Sequence, residues 1–117
     1  MKGNCFEVHG RMMLNSETEF EKKLGFTIGP VKLVHGEVTG TGPAVRGFKY
    51  GHAWLEDNVM CYDFSNGDFI NIPKFQYYSL GNIKNKEGKL FKYTDKEARE
   101  KMLETGHFGS WELTCEL

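Results

Sequence analysis

Phe48-Lys49-Tyr50-Gly51-His52-Ala53-Trp54-Leu55 and Val59-Met60-Cys61-Tyr62-Asp63-Phe64 are two aromatic-rich runs separated by Glu56, Asp57 and Asn58. Such runs read as strands and Asp57-Asn58 as a turn, so together they predict a β-hairpin. With Asp57 and Asn58 as a two-residue loop, Glu56 faces Val59, Trp54 faces Cys61 and His52 faces Asp63. Side chains alternate along a strand, which puts His52, Trp54, Cys61 and Asp63 on one side, with opposed Cβ atoms about 5 Å apart. An imidazole and a carboxylate so placed hydrogen-bond, and the carboxylate then holds one ring tautomer and stabilises the imidazolium. A one-residue change in loop length would separate the pair.

Working outward, Asn4-Cys5 precedes a mostly apolar stretch from Phe6 to Leu14. Phe6, Met13, Val8 and Met12 there form a candidate buried helical face, with Gly10 weakening the helix by about 1 kcal/mol relative to Ala. Cys5 falls at the N-terminus of that helix, where the helix dipole and unsatisfied N–H groups favour a thiolate and can bind a developing oxyanion. The plain alternative is that Cys5 is a small buried apolar residue. Cys61 is a rival thiol because the hairpin count puts it on the face of His52 and Asp63, although a mid-strand position lacks the helix terminus. Asn66 is a second candidate for orienting the imidazole, and Trp54 a candidate wall of the site.

The order of Cys5, then His52-Ala53-Trp54 on one strand, then Asp63 at the end of the next resembles the minimal core of the papain-like superfamily, in its transglutaminase-like branch. Arylamine N-acetyltransferases and transglutaminase-like peptidases share that order. The resemblance covers roughly residues 4 to 67. Its Asn-Cys start, Gly-His-Ala-Trp strand and Asp-x-Ser-Asn-Gly turn also look like those of small phage and bacterial proteins. It implies a helix carrying Cys5 packed on a sheet carrying His52 and Asp63, and a Cys-His-Asp triad acting through an acyl-enzyme. Only four residues precede Cys5, which leaves little room for the upstream segment that supplies an oxyanion-hole Gln in papain. The side chain of Asn4 is then the candidate second donor.

Composition sets the outer limits. A chain of 117 residues predicts one domain with a real core. Fifteen basic and sixteen acidic residues give a formal charge of -1, so no global field draws nucleic acid or an anionic membrane. Three cysteines, at positions 5, 61 and 115, have no metal-ligand spacing, and the start of the chain has no apolar signal region. The expectation is a soluble protein of a reducing cytoplasm with no metal or other cofactor.

The remaining elements follow without linker or repeat. Ser16-Glu17-Thr18-Glu19 has capping-box spacing for a short helix through Lys23. Val31 to Thr39 reads as a strand, broken by Gly40-Thr41-Gly42-Pro43, a loop without the Lys-Ser or Lys-Thr ending of a phosphate-binding loop. Ser65-Asn66-Gly67 reads as a turn, Phe69 to Ile72 as a strand, and Pro73 to Tyr78 as a helical turn. Lys84 to Tyr93 suggests a second hairpin. Thr94-Asp95-Lys96-Glu97 is another capping box, opening an amphipathic helix that Gly106 ends, with Ala98, Met102 and Leu103 inward. The class is α+β, a mainly antiparallel sheet with helices packed against it.

Other residues are read conservatively. His9 reads as a surface histidine, Trp111 as packing, and the cluster at Phe75, Gln76, Tyr77 and Tyr78 as core, with a substrate groove as the alternative. The function expected is a cysteine-dependent hydrolase or acyltransferase acting on a peptide, amide or acyl substrate, with Cys5 as nucleophile, His52 as base and Asp63 as orienter. The alternative is a non-catalytic binding or inhibitor protein on the same scaffold.

Overall fold

The computed structural model describes residues 5–14, 30–40, 46–65 and 69–113. The helix expected at Ser16, residues 41–43 of the glycine-rich loop, Asn4, Asn66 and Cys115 lie outside them. Helix α1 spans Cys5–Leu14, strand β1 Lys32–Thr39, β2 Lys49–Glu56, β3 Met60–Asp63 and β4 Ile70–Pro73. Helix α2 (Lys74–Leu80), strand β5 (Leu90–Tyr93) and helix α3 (Asp95–Thr105) complete the order. The five strands form one antiparallel sheet, β4-β3-β2-β1-β5, and the domain is α+β. Among the described residues no helix is long and apolar enough to cross a membrane.

The β2–β3 hairpin forms with a register two residues from the expected one. Leu55 pairs with Tyr62 and Glu56 with Cys61, so Glu56 does not face Val59 and Trp54 does not face Cys61. The cause is Asp57, which leaves the loop and joins the ladder through its N–H to the Met60 carbonyl at 3.0 Å. Its carboxylate Oδ1 accepts from the N–H groups of Val59 and Met60, and its Oδ2 from the Tyr62 hydroxyl. The loop is therefore Asn58-Val59. A shift of two keeps every side chain on its expected face, because the strand period is two.

Each face of the sheet buries its own core. On one, Leu33, Leu55, Tyr62 and Tyr93 pack with Met12 and Met13 of α1 and Ala98 of α3. On the other, Val34, Val38, Trp54 and Cys61 pack with Tyr77 of α2 and with Ile83. This second face also buries the carboxylate of Glu56, which accepts from Trp54 Nε1 at 3.1 Å and the Tyr78 hydroxyl at 2.8 Å. Lys74 and Lys92 approach its Oε2 at 3.1 and 3.0 Å. A buried charge is tolerated when paired and hydrogen-bonded in this way. Burial opposes ionisation of Glu56, but its hydrogen bonds to Trp54, Lys92, Tyr78 and Lys74 hold the carboxyl below its usual range.

Two expectations are corrected. No second hairpin precedes β5. The stretch before it closes a turn from Lys86 to Lys89, and β5 pairs with β1 instead, Leu33 with Tyr93 and Gly36 with Leu90. Ile83, the one large apolar residue there, drops into the second core and leaves no alternating run to make a strand. Helix α3 has the expected capping box at Thr94 and a left-handed Gly106, but Leu103 is 87% exposed. At 100° per residue Leu103 stands about 140° around from Ala98, whereas Met102 shares its stripe.

Gly10 in α1 is explained by close packing. A Cβ there would lie 2.7 Å from Phe108 Cδ1 and 3.3 Å from Met102 Cε. Helix propensity favours Gly10→Ala by about 1 kcal/mol, and overpacking opposes it by about 1–3 kcal/mol. We expect Gly10→Ala to be destabilising by about 1 kcal/mol in urea unfolding, and a stabilised variant would show that the packing at Phe108 is slack.

Candidate active site

The β2–β3 ladder stops at Leu55–Tyr62, while β2 continues back to Lys49 on β1 and β3 continues to Asp63 on β4. In an antiparallel ladder hydrogen-bonded pairs recur every second residue. The Asp57–Met60 bond thus marks Leu55–Tyr62 and then Ala53–Phe64 as the pairs in sequence. The last is not made. The Phe64 N–H instead donates to Nε2 of His9 at 3.0 Å, and His9 Nδ1 donates to the Cys5 carbonyl at 2.8 Å. His9, expected at the surface, is fully buried and ties the first turn of α1 to the end of β3. Burial, and secondarily His52, lower its pKa to about 4 against the pull of Asp63 and the Cys5 carbonyl. The 3.7 Å approach of His9 to Asp63 is thus not an ion pair, since the ring is neutral and its Nε2 is already an acceptor.

Into this gap project His52 and Asp63. They are diagonal rather than directly opposed, and His52 Nε2 still meets Asp63 Oδ2 at 2.8 Å. The carboxylate is held on every side. Oδ2 also accepts from the Tyr77 hydroxyl at 2.5 Å, and Oδ1 accepts from the Ser65 N–H at 2.9 Å and the Ser65 hydroxyl at 2.6 Å. Burial would raise the Asp63 pKa, but the hydrogen bond and charge of His52, with Ser65 and Tyr77, hold it well below the usual carboxylate range. Burial would likewise lower the His52 pKa. The hydrogen bond and charge of Asp63, with the nearby Cys5 side chain, push it up to about 10. His52 and Asp63 are thus a hydrogen-bonded pair, with Cys5 close enough to act on the His52 ring.

The other sequence candidates divide. Trp54 is fully buried and so cannot wall a substrate site. Its indole lies behind the imidazole, with centroids 6.1 Å apart and planes within 29°. Gly36, opposite His52 on β1, makes room for it, since a Cβ there would lie 2.7 Å from Trp54 Cη2. Cys61 is on the expected face, but its thiol is fully buried and donates to Glu56 at 3.6 Å. Burial and the Glu56 charge raise its pKa far above that of an ordinary thiol. Sequence reading missed Tyr77, Ser65 and His9. Ser65, two residues after Asp63, carries the local signal of an Asx turn, whereas Tyr77, and His9 in its contact with Phe64, reach the site through tertiary packing.

His35 is a second fully buried imidazole and, unlike His9, has no hydrogen bond among the described residues to offset its burial. Neither nitrogen has a hydrogen-bond partner among the described residues, and Phe6, Trp111 and Tyr93 stand around it at 4.8, 4.8 and 5.1 Å. Burial, aided by His9 and opposed by Glu112, lowers its pKa to about 3. Compared with known proteins, the chain matches no protein-family model, no curated protein and no solved structure. Its site is read from its own chemistry.

Two outcomes follow from these protonation states. Below pH 6.5 the unfolded chain binds protons at His9 and His35 that the folded chain refuses, so stability falls as pH drops from 6.5 toward about 4 and about 3 respectively. Each ring contributes a slope of about 1.4 kcal/mol per pH unit within its window. Urea unfolding at pH 7 and pH 5 is expected to show the loss, and His35→Leu a smaller one; an equal loss in the variant would exclude His35 as a source. Asp63→Asn removes the main support of the His52 imidazolium, and the His52 midpoint followed by 15N NMR is expected to fall by more than about one pH unit.

Proposed function

We propose that this protein is a cysteine-dependent hydrolase or acyltransferase, of the papain-like, transglutaminase-like kind that its order of Cys5, His52 and Asp63 resembles. The observation that carries the reading is the hydrogen-bonded pair of His52 and Asp63 beside Cys5, in which the carboxylate is fully engaged and the imidazole is biased toward its charged form. An imidazolium beside a thiol at the first residue of a helix is the setting in which thiol nucleophiles act.

In this reading the Cys5 proton passes to His52 and the sulfur adds to the carbonyl of an amide or thioester, forming a C–S bond and moving the carbonyl π pair onto oxygen. The N–H groups of Cys5 and Phe6, which have no partner inside the helix, are the donors for that oxyanion. Collapse breaks the bond to the leaving group, which departs with the proton held by His52. Water or an amine then gives a proton to His52 and displaces the thiol from the thioester, and the proton returns to sulfur. Asp63 keeps the ring oriented throughout, and Tyr77 and Ser65 keep Asp63 oriented.

Iodoacetamide labelling with peptide mapping tests the assignment. Cys5 is expected to be alkylated at least about tenfold faster than Cys61, whose thiol is buried on Glu56. His52→Ala is expected to remove most of that advantage. Equal rates at the two thiols, or an advantage unchanged by His52→Ala, would falsify the nucleophile. A variant that keeps a tight stoichiometric partner after Cys5→Ala, without acylation of the wild type, favours the non-catalytic binding protein instead.

A further inference from the structure

A cleft of about 210 Å³ lies against the site, with His52 and Asp63 in its lining. The rest of the lining is mostly apolar. Val38, Tyr77 and Ile83 are buried, and Ile70 and Leu80 are 41% and 58% exposed, so the former make the wall and the latter the rim. Solvent-facing positions carry polar residues without penalty, yet the end of α2 and the start of β4 each place an aliphatic side chain here. An apolar pocket with a few convergent polar groups is the usual form of a small-ligand site.

The cleft is kept open by the backbone at Gly81. A Cβ at that position would stand 3.1 and 3.2 Å from the Ile83 side chain and 3.6 Å from Val38 Cβ, within the space between the walls. Its φ of -89° is open to any residue, so the glycine there serves space rather than backbone conformation. At about 30 Å³ per water, the volume equals about seven waters, enough for a branched aliphatic chain. Tyr50 stands at the polar end, edge-on to the His52 ring at 6.0 Å.

Resting on the nucleophile reading above, we infer that this cleft receives an aliphatic group flanking the carbonyl that Cys5 attacks, so that the substrates are amides or thioesters of aliphatic acyl units or residues. His52 and Asp63 at one end fix where the carbonyl lies, and the apolar walls select what is attached to it. Leu80 and Ile70 are specificity-determining residues that contact the substrate and leave the chemistry to Cys5.

The test uses two p-nitrophenyl esters of equal chain length, the isovalerate and the methoxyacetate, with acylation of Cys5 followed by nitrophenolate release and intact mass. After division by the rates with glutathione, the isovalerate is expected to acylate Cys5 at least about tenfold faster, and Leu80→Asp or Ile70→Asn to reduce that ratio several-fold. Iodoacetamide alkylation of the same variants serves as the control for a working nucleophile. Fast alkylation of Cys5 with no preference between the esters overturns the cleft assignment and leaves the nucleophile standing. Should Cys5 react with neither reagent class, the nucleophile fails, and the cleft is decided separately by titrating isovaleramide into 15N-labelled protein. Saturable shifts at Leu80, Gly81 and Ile83 that disappear in Leu80→Asp support it, and their absence overturns it.

Discussion

One backbone hydrogen bond governs the site. The Phe64 N–H is taken by His9 of α1 and not by Ala53 of β2, and the two central strands part at the point where a regular sheet would have closed. A continued ladder would have placed Trp54 against Asp63 and drawn the strand backbones together at His52. With the strands apart, an imidazole, a carboxylate and the first turn of a helix occupy one space. Because a buried N–H without a partner costs about 1–3 kcal/mol, the opening is sustained only while His9 stays neutral with Nε2 as the acceptor. The buried histidine therefore determines whether this gap between the strands exists.

The second constraint is the Asp63 carboxylate. Four donors reach it: His52 Nε2, the Tyr77 hydroxyl, and the N–H and hydroxyl of Ser65. They come from β2, α2 and the residues after β3, so that carboxylate ties three parts of the chain together on the second face of the sheet. Glu56 does the same further along that face, with Trp54, Tyr78, Lys74 and Lys92. Trp54 belongs to both arrangements, since it donates to Glu56 and lies behind His52. The orientation of the imidazole is thereby set by packing and hydrogen bonding together, as a site built on strands rather than loops allows.

Much of this was legible in the sequence, and the reasons for the failures are physical. The face shared by His52, Trp54, Cys61 and Asp63 came out correctly although the turn did not, because the error in register was an even number and side-chain alternation is blind to it. The turn itself went astray because Asp57 is as good a strand-end acceptor as it is a loop residue, and its carboxylate caps Val59 and Met60 from the ladder position. Leu103 is exposed because Ala98, Met102 and Leu103 do not form one stripe, the third standing well around the helix. Tyr77 had no local signal, since its partner is 14 residues away, and for His9 only the bond to the Cys5 carbonyl is local, its Phe64 partner lying 55 residues away. The α3 cap was readable because the box is contained within four residues, Thr94 to Glu97.

The sheet's outer strands, β4 and β5, are four residues each, and β4 ends at Pro73, which has no N–H to give. Long, flat open edges recruit other strands, and natural sheets suppress this by shortening the edge and placing proline or lysine on it. Lys92 on β5 is committed to Glu56, and its charge also guards that border. Among the described residues the outer strands thus offer little backbone to a neighbouring chain, and the aromatic-rich central strands lie inside them.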